Sequence, residues 1–381
     1  MYLLFIFILL LFCSTVPQIK KPEIPNGEKV FYWDEVGELL AAIPLSNNNR
    51  FLALTKNSKY ISYKKNIDKY WNLERKNYIA KVIPWREKNI EDIQTENTVL
   101  YPLSGADFIN LYHFHPNAKR FIMIGLQNPG HIHDPLTLSS QEFLTVLPNL
   151  ESLVYELSIM NYYTSKRLDR DSKHLHISGI APVLLIFMKR LGFTIMDLKQ
   201  IRIDSNGNSL ELEGQEFSRA DLLPGVKILF FKKGDTTVRE LSFLSITLNN
   251  SSGDQISSEG KYLQSQGRFN LILKSAEYIL HTDEFREFIT SVLKKTDRVI
   301  QDESGIPLRL FSTEDWTPKV FGRYIGRIPL KKTPKVPYQS DLASLFKEEK
   351  PDVLPFNFGY GVLRGKGKSN IIFLKRKKIR D

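Results

Sequence analysis

Apolar positions along this chain fall into short runs separated by turn residues, with helical periodicity between several of them. The clearest stretch is 99–130, VLYPLSGADFINLYHFHPNAKRFIMIGLQNPG. One apolar run ends at Ser104-Gly105, a helix-like segment follows from Asp107, and a second run, 121–126, closes on Gln127. Strand, tight turn, helix and strand in that order predict a parallel pair joined by a crossover. Further strands are expected at 193–203, 225–232, 238–248, 298–301 and 371–374. The turn at Gly234-Asp235 makes the third of these the antiparallel partner of the second. Helices are expected at 35–43 with Asp34 as N-cap, at 141–160 with a break at Pro148, at 173–191 ending on Gly192, and at 270–281 and 283–295. The expected class is α/β: a mixed, partly parallel sheet with flanking helices, a Rossmann-like first βαβ unit and a helical N-terminal layer.

The first residues change the picture of where the chain acts. MYLLFIFILLLFCST is an unbroken apolar run too short for a comfortable membrane span, and it reads as the core of a signal peptide. Leu10-Leu11-Phe12-Cys13 is similar to the lipobox of bacterial lipoproteins, which makes Cys13 a lipidation candidate; the departure is Phe12, where that family has a small residue. The expected organisation is a signal peptide or lipoprotein signal at 1–19, a helical basic-aromatic region at 20–97 and a mixed α/β domain at 98–381. The expected location is therefore exported, periplasmic or membrane-anchored.

Composition narrows the classes. The chain has 381 residues, 42% of them hydrophobic, which suits a large globular core. Its net charge of +11 is concentrated in 56–88 and in the tail 364–380. No zinc finger or RNP motif accompanies that charge, so nucleic acid is not expected as a partner. In 56–88, Tyr60, Tyr63, Ile67, Trp71 and Leu73 form one face of a helix, which is expected to be a layer that buries Trp71 and Trp85 and keeps the lysines solvated; the alternative is a basic-aromatic surface for glycans or lipid headgroups. Cys13 is the sole cysteine, which excludes disulfides and thiolate chemistry from the body of the chain.

Candidate chemistry lies in three places. Ser104, Gly105 and Asp107 follow the first strand of the βαβ unit and Gln127 follows the second, where ligands of parallel sheets bind. The spacing resembles a class I methyltransferase, whose first strand ends in a glycine turn and whose second ends in an acid that holds the ribose. Here G-x-G is absent and Gln127 replaces the acid. Six of the seven histidines form H-x-H pairs, 113/115, 131/133 and 174/176. Of these, His131 and His133 are the metal candidates, zinc being the ion such a pair would take; no other cofactor is expected. Asp302, Arg323, Tyr324 and Asp341 lie in a Gly/Pro-punctuated region of the kind that carries binding sites, and rings beside carboxylates suit a sugar. No G-x-S-x-G elbow, H-E-x-x-H helix or phosphate-binding loop is present.

VIQDESGIPLRLF, W…FGRYIGRIPL, YQSDL, LPFNFGYG ending in SNIIFL, and YPLSGADF…HPNAKRFIMIGLQNPG together resemble a group of uncharacterised exported bacterial proteins over most of 99–374. The resemblance implies export and a bacterial source, and contributes no catalytic residue. The expectation is a cell-envelope protein with a binding or structural role, meeting an envelope ligand or protein. One alternative is an enzyme acting on a glycan or small molecule through the carboxylates of 302–341 or the turn at 104–107. The other is a methyltransferase-like fold with a degenerate cofactor site. A cluster of Asp302, Tyr324 and Asp341 in one pocket would favour the enzyme.

Overall fold

The computed structural model describes residues 30–90, 98–160, 176–212, 222–254, 256–327, 335–365 and 367–377. Cys13 and the whole apolar leader lie outside them, as does His174. Among the described residues no helix is long and apolar enough to cross a membrane.

Twelve strands are present among the described residues. They are β1 (Thr98–Pro102), β2 (Arg120–Gly125), β3 (His131–Ile132), β4 (Ile177–Ser178), β5 (Phe193–Ile203), β6 (Ser209–Glu211), β7 (Leu223–Lys232), β8 (Arg239–Ser245), β9 (Phe269–Leu273), β10 (Thr296–Gln301), β11 (Trp316–Gly322) and β12 (Asn370–Arg376). Ten form one sheet in the order β11-β12-β10-β9-β1-β2-β8-β7-β5-β6. The centre, β10-β9-β1-β2-β8, is parallel throughout. Antiparallel pairs extend it at both edges. The fold is therefore α/β with a mixed sheet, and the first βαβ unit forms as its hydrophobic pattern predicts.

Leaving out the insertion β3–β7, the remaining strands numbered in chain order lie as 3-2-1-4-5-7-6, with the seventh antiparallel to its neighbours. The central strands are buried on both faces and their side chains alternate between two cores. Val99, Tyr101, Phe121, Met123 and Ile272 face one; Leu100, Ile122, Ile124, Leu271 and Leu273 face the other. This is why they read as continuous apolar runs.

Helices cover both faces. α1 (Tyr32–Leu40), α2 (Ser58–Glu74), α3 (Ala80–Asn89), α4 (Phe108–Phe114), α5 (Ser140–Tyr155) and α6 (Ala181–Arg190) contribute to the first core. α7 (Ser258–Ser265), α8 (Arg286–Lys295) and α9 (Ser340–Glu349) contribute to the second.

Several expectations need correction. Asp34 does not cap its helix. The N-cap is Phe31, and the Asp34 carboxylate instead accepts from the Ile195 amide at 2.8 Å and pairs with buried Lys189 at 2.5 Å. α5 runs unbroken through Pro148 and passes into a π-helical turn at Glu156–Met160; the capping box of Ser139 and Glu142 and its packed apolar face hold it. The helix expected over 270–281 is instead β9, buried at every position in mid-sheet. β11 replaces what reads as loop around Trp316.

Candidate functional site

β1 and β9 are hydrogen-bonded neighbours whose crossovers leave on opposite faces. The chain goes from β1 to β2 through α4 in the first core, and from β9 to β10 through α8 in the second. This is a topological switch point, where the two departing loops part and leave a crevice beyond the strand ends. A cavity of about 130 Å3 lies there, bounded by Leu103–Asp107 after β1, Gly125–Gln127 after β2, and Lys274–Ala276, Glu277 and Ile279 after β9.

Both main loops are bent unusually. Leu103 (φ 60°), Ser275 (57°), Glu277 (51°) and Tyr278 (57°) hold left-handed backbone without being glycine, four of the six such residues among those described. Each costs on the order of 1–3 kcal/mol and persists only where its surroundings over-determine it. At the first loop, Gly105 (φ 53°) makes the turn, the Ser104 amide donates to the Ile124 carbonyl at 2.9 Å, and Asp107 caps α4 through the Asn110 amide. At the second, the brace comes from the end of β10. The Ser275 amide donates to Asp302 Oδ1 at 3.3 Å, the Ala276 amide to Ser304 Oγ at 2.8 Å, and Tyr360 Oη to the Ser275 carbonyl at 2.9 Å.

The floor is a buried polar network. Lys274 Nζ sits 2.6 Å from Asp107 Oδ2, with the side chains 3% and 9% exposed. Tyr101 Oη donates to the same oxygen at 2.9 Å, and Asn110 Nδ2 donates to Asp107 Oδ1 at 2.8 Å. Tyr78 Oη in turn donates to Asn110 Oδ1. Glu74 completes the group. Burial pushes its carboxyl up to about 8, which the Lys274 charge partly offsets. Burial, with Asp107 adding to it, also holds the Tyr78 and Tyr101 phenols well above their ordinary value. The floor thus pairs one basic with one acidic side chain, beside a carboxyl whose protonated form burial favours. The hydroxyls of Ser104 and Ser275 lie on the walls, the latter's Oγ buried with no hydrogen-bond partner. Glu277 is exposed at the mouth.

Ser104, Gly105, Asp107 and Gln127 therefore all line one cavity. The other candidates do not join them. Asp302 is 1% exposed and its oxygens are filled by the Ser275, Ser304 and Tyr360 amides and the Ser304 hydroxyl. Burial pushes its carboxyl and that of Glu303 upward. Arg323 is exposed and is anchored by its backbone amide on the Ser369 carbonyl at 3.0 Å. The Tyr324 ring packs 5.9 Å from Tyr338 and 5.8 Å from Phe346. Asp341 is exposed in the first turn of α9. An enclosed Asp302 and a surface Asp341 cannot act on one substrate, because the Asp302 oxygens already serve backbone donors.

His131 and His133 lie on and beside the β3–β4 pair, their rings 4.8 Å apart, with His176 5.4 Å from His133. Among the described residues no three His, Cys, Asp or Glu side chains are placed to hold a metal ion. His113 and His115 sit at the end of α4, buried, and burial lowers them to about 4 and about 3.

Sequence reasoning missed Lys274, Ser275 and Glu277 because 270–281 was assigned to a helix; FNLIL, a five-residue apolar run, also fits a buried strand. It missed Glu74 too, although a signal existed. The buried face of α2 runs Tyr60, Tyr63, Ile67, Trp71, Glu74, so the next position on the stripe is a carboxylate rather than Leu73.

Comparisons with family models, with curated proteins and with solved structures return no match to this chain.

Proposed function

We propose that this protein binds a small neutral or zwitterionic molecule in the cleft between the carboxyl ends of β1 and β9, on a methyltransferase-like sheet whose cofactor site has been rebuilt. The observation that carries this reading is the cleft itself: a switch-point crevice with two strained loops, a buried ion pair and the unpartnered hydroxyl of Ser275. A floor whose lysine is already paired with Asp107, and an acidic residue at the mouth, disfavour anions. Donors and acceptors side by side suit hydroxyl, amine or zwitterionic groups.

The strand order 3-2-1-4-5-7-6 with an antiparallel seventh is the class I methyltransferase order, and it supports that ancestry. Three features speak for a changed ligand. Gln127 stands after β2 where the family has an acid. The Lys274–Asp107 pair occupies the polar floor. The cavity of about 130 Å3 falls below the roughly 300–1,000 Å3 of pockets that take drug-sized ligands. The apolar leader supports an envelope location, where adenosine cofactors are not supplied, and accords with that change. Lipidation at Cys13 would add a membrane anchor.

A thermal-shift screen of the full chain against amino acids, sugars, adenosine cofactors and divalent metals with and without chelator tests the proposal. A ligand at a hundredfold its dissociation constant adds about 2.7 kcal/mol to folded-state stability. The expected result is stabilisation by an amino acid or sugar that weakens in Glu277→Gln, a surface substitution that leaves the fold alone. Stabilisation by S-adenosylmethionine alone would show an intact cofactor site and contradict the rebuilding. No shift with any class would remove the small-ligand reading.

A further inference from the structure

A second concavity lies on the helical layer, away from the switch-point cleft. Its volume is about 380 Å3, and its lining includes Trp71, Arg75, Arg86, Tyr112, His113, Arg190 and Lys232. Four of the lining residues are Arg or Lys and none is Asp or Glu. It opens where α2 passes into α3 through a π-helical turn, Arg75–Ile79. Such turns insert a residue into the helix and shift the faces on either side of it, and they recur at functional sites. Here the shift keeps Glu74 and Tyr78 on the buried side and puts Arg75 at the recess.

The four cations are compensated unequally. Arg190 is pinned, donating to Asp68 at 2.7 Å and to the Ala41 carbonyl at 2.7 Å. Arg86 donates to the His113 carbonyl at 3.1 Å and to exposed Glu87 at 3.0 Å. Lys232 has no ion pair among the described residues and lies 6.0 Å from the ring centres of Tyr112 and Phe193. Arg75 is exposed and its guanidinium has no partner among the described residues. A further observation points inward. His113 is 5% exposed, lines the recess, and its Nε2 is buried without a hydrogen-bond partner. Leaving a buried polar atom unmatched costs about 1–3 kcal/mol, which a ligand atom reaching it would recover.

We propose that this recess binds an oxyanion-bearing molecule, a phosphate ester or a close analogue, with Arg75 and Lys232 as the principal charge contacts, His113 Nε2 hydrogen-bonding at the bottom, and Trp71 and Tyr112 packing against the organic part. Convergent cations with no acid in the wall select for anions, and guanidinium groups match tetrahedral oxyanions in geometry. The occupant is a soluble phosphate compound or the headgroup of an anionic lipid, which present the same chemistry. The proposal does not depend on the ligand of the switch-point cleft, which disfavours anions.

The test is calorimetric titration of pyrophosphate into the full chain, with sodium chloride at matched ionic strength as the reference. Wild type should bind, and Arg75→Gln/Lys232→Gln should bind about tenfold or more weakly, two lost charge contacts being enough for that loss. Unfolding midpoints of the two proteins without ligand should agree, since Arg75 is exposed and Lys232 makes no ion pair. His113→Phe, which fills the recess and removes the imidazole, should also weaken binding. Flotation with vesicles containing phosphatidylglycerol separates the sources. Vesicle binding displaced by pyrophosphate places a lipid phosphate in the recess; pyrophosphate binding without vesicle binding places a soluble compound there. No pyrophosphate binding by wild type, or equal binding by wild type and the double variant, overturns the proposal.

Discussion

The carboxyl ends of β9 and β10 lie side by side, each beside a buried carboxylate, and only one opens a site. After β10, Asp302 is enclosed, and its oxygens are consumed by backbone amides from three separate segments and by the Ser304 hydroxyl. After β9, the loop follows a strained path beside β1, and Asp107 faces Lys274 at the floor of a cavity. One end holds and the other is held. Asp302 takes three of its four donors from backbone amides and so positions backbone. Asp107 is as fully bonded, but three of its four donors are side chains, Asn110, Tyr101 and Lys274, and the unpartnered Ser275 Oγ stands on the cleft wall beside them. Asp302 is thus a positioning residue for the cleft wall, although in the sequence it looks as functional as Asp107.

Substitutions can break this contrast. The largest effect is expected at Glu74, under the cleft. Its carboxyl is raised from 4.5 to about 8 in the folded state, so the folded protein holds a proton that the unfolded chain releases. That stability is fully present below about pH 4.5 and is lost as pH rises through about 8, on the order of 5 kcal/mol across the window. Urea unfolding at pH 5 and pH 8 should show a fall in wild type that becomes shallower in Glu74→Gln. Glu303, also raised, keeps some of the slope.

Lys274→Met should cost about 4 kcal/mol by leaving Asp107 buried without its cation, and adding Asp107→Asn should restore part of the loss. A cost below about 1 kcal/mol would mean that the pair is hydrated and the floor is not balanced by it.

Gly359→Ala probes the bracing end. Gly359 has φ 59°, and a Cβ there would lie 1.8 Å from Asp302 Oδ2. The clash should cost about 2 kcal/mol and, by loosening the Ser275 brace, weaken ligand binding in the cleft as well. Stability lost with affinity unchanged would show that the two ends are not coupled. Asp341→Asn, on the exposed turn of α9, should change stability by less than about 0.5 kcal/mol and leave ligand binding alone.

The legible parts of the sequence were those whose signal is local. The β1–α4–β2 unit, the β7–β8 hairpin and the Ser104-Gly105 turn follow from apolar runs and turn chemistry. β9 was not legible because FNLIL, flanked by polar residues, fits a helix as readily as a strand, and only its neighbours β1 and β10 decide. Lys274 was invisible for the same reason, since a lysine gains its role here from an aspartate far away in the chain. The separation of Asp302 from Asp341 was equally hidden, because loop composition does not record which carboxylate the amides enclose.

The most direct measurement is hydrogen–deuterium exchange of the full chain with and without the amino acid or sugar that gives the largest thermal shift. Binding at the switch point predicts slower exchange in 103–107 and 274–279, where the two strained loops bound the cavity. Protection confined to 302–310 and 335–341, with those two loops unchanged, would put the ligand at the end of β10 and contradict the account.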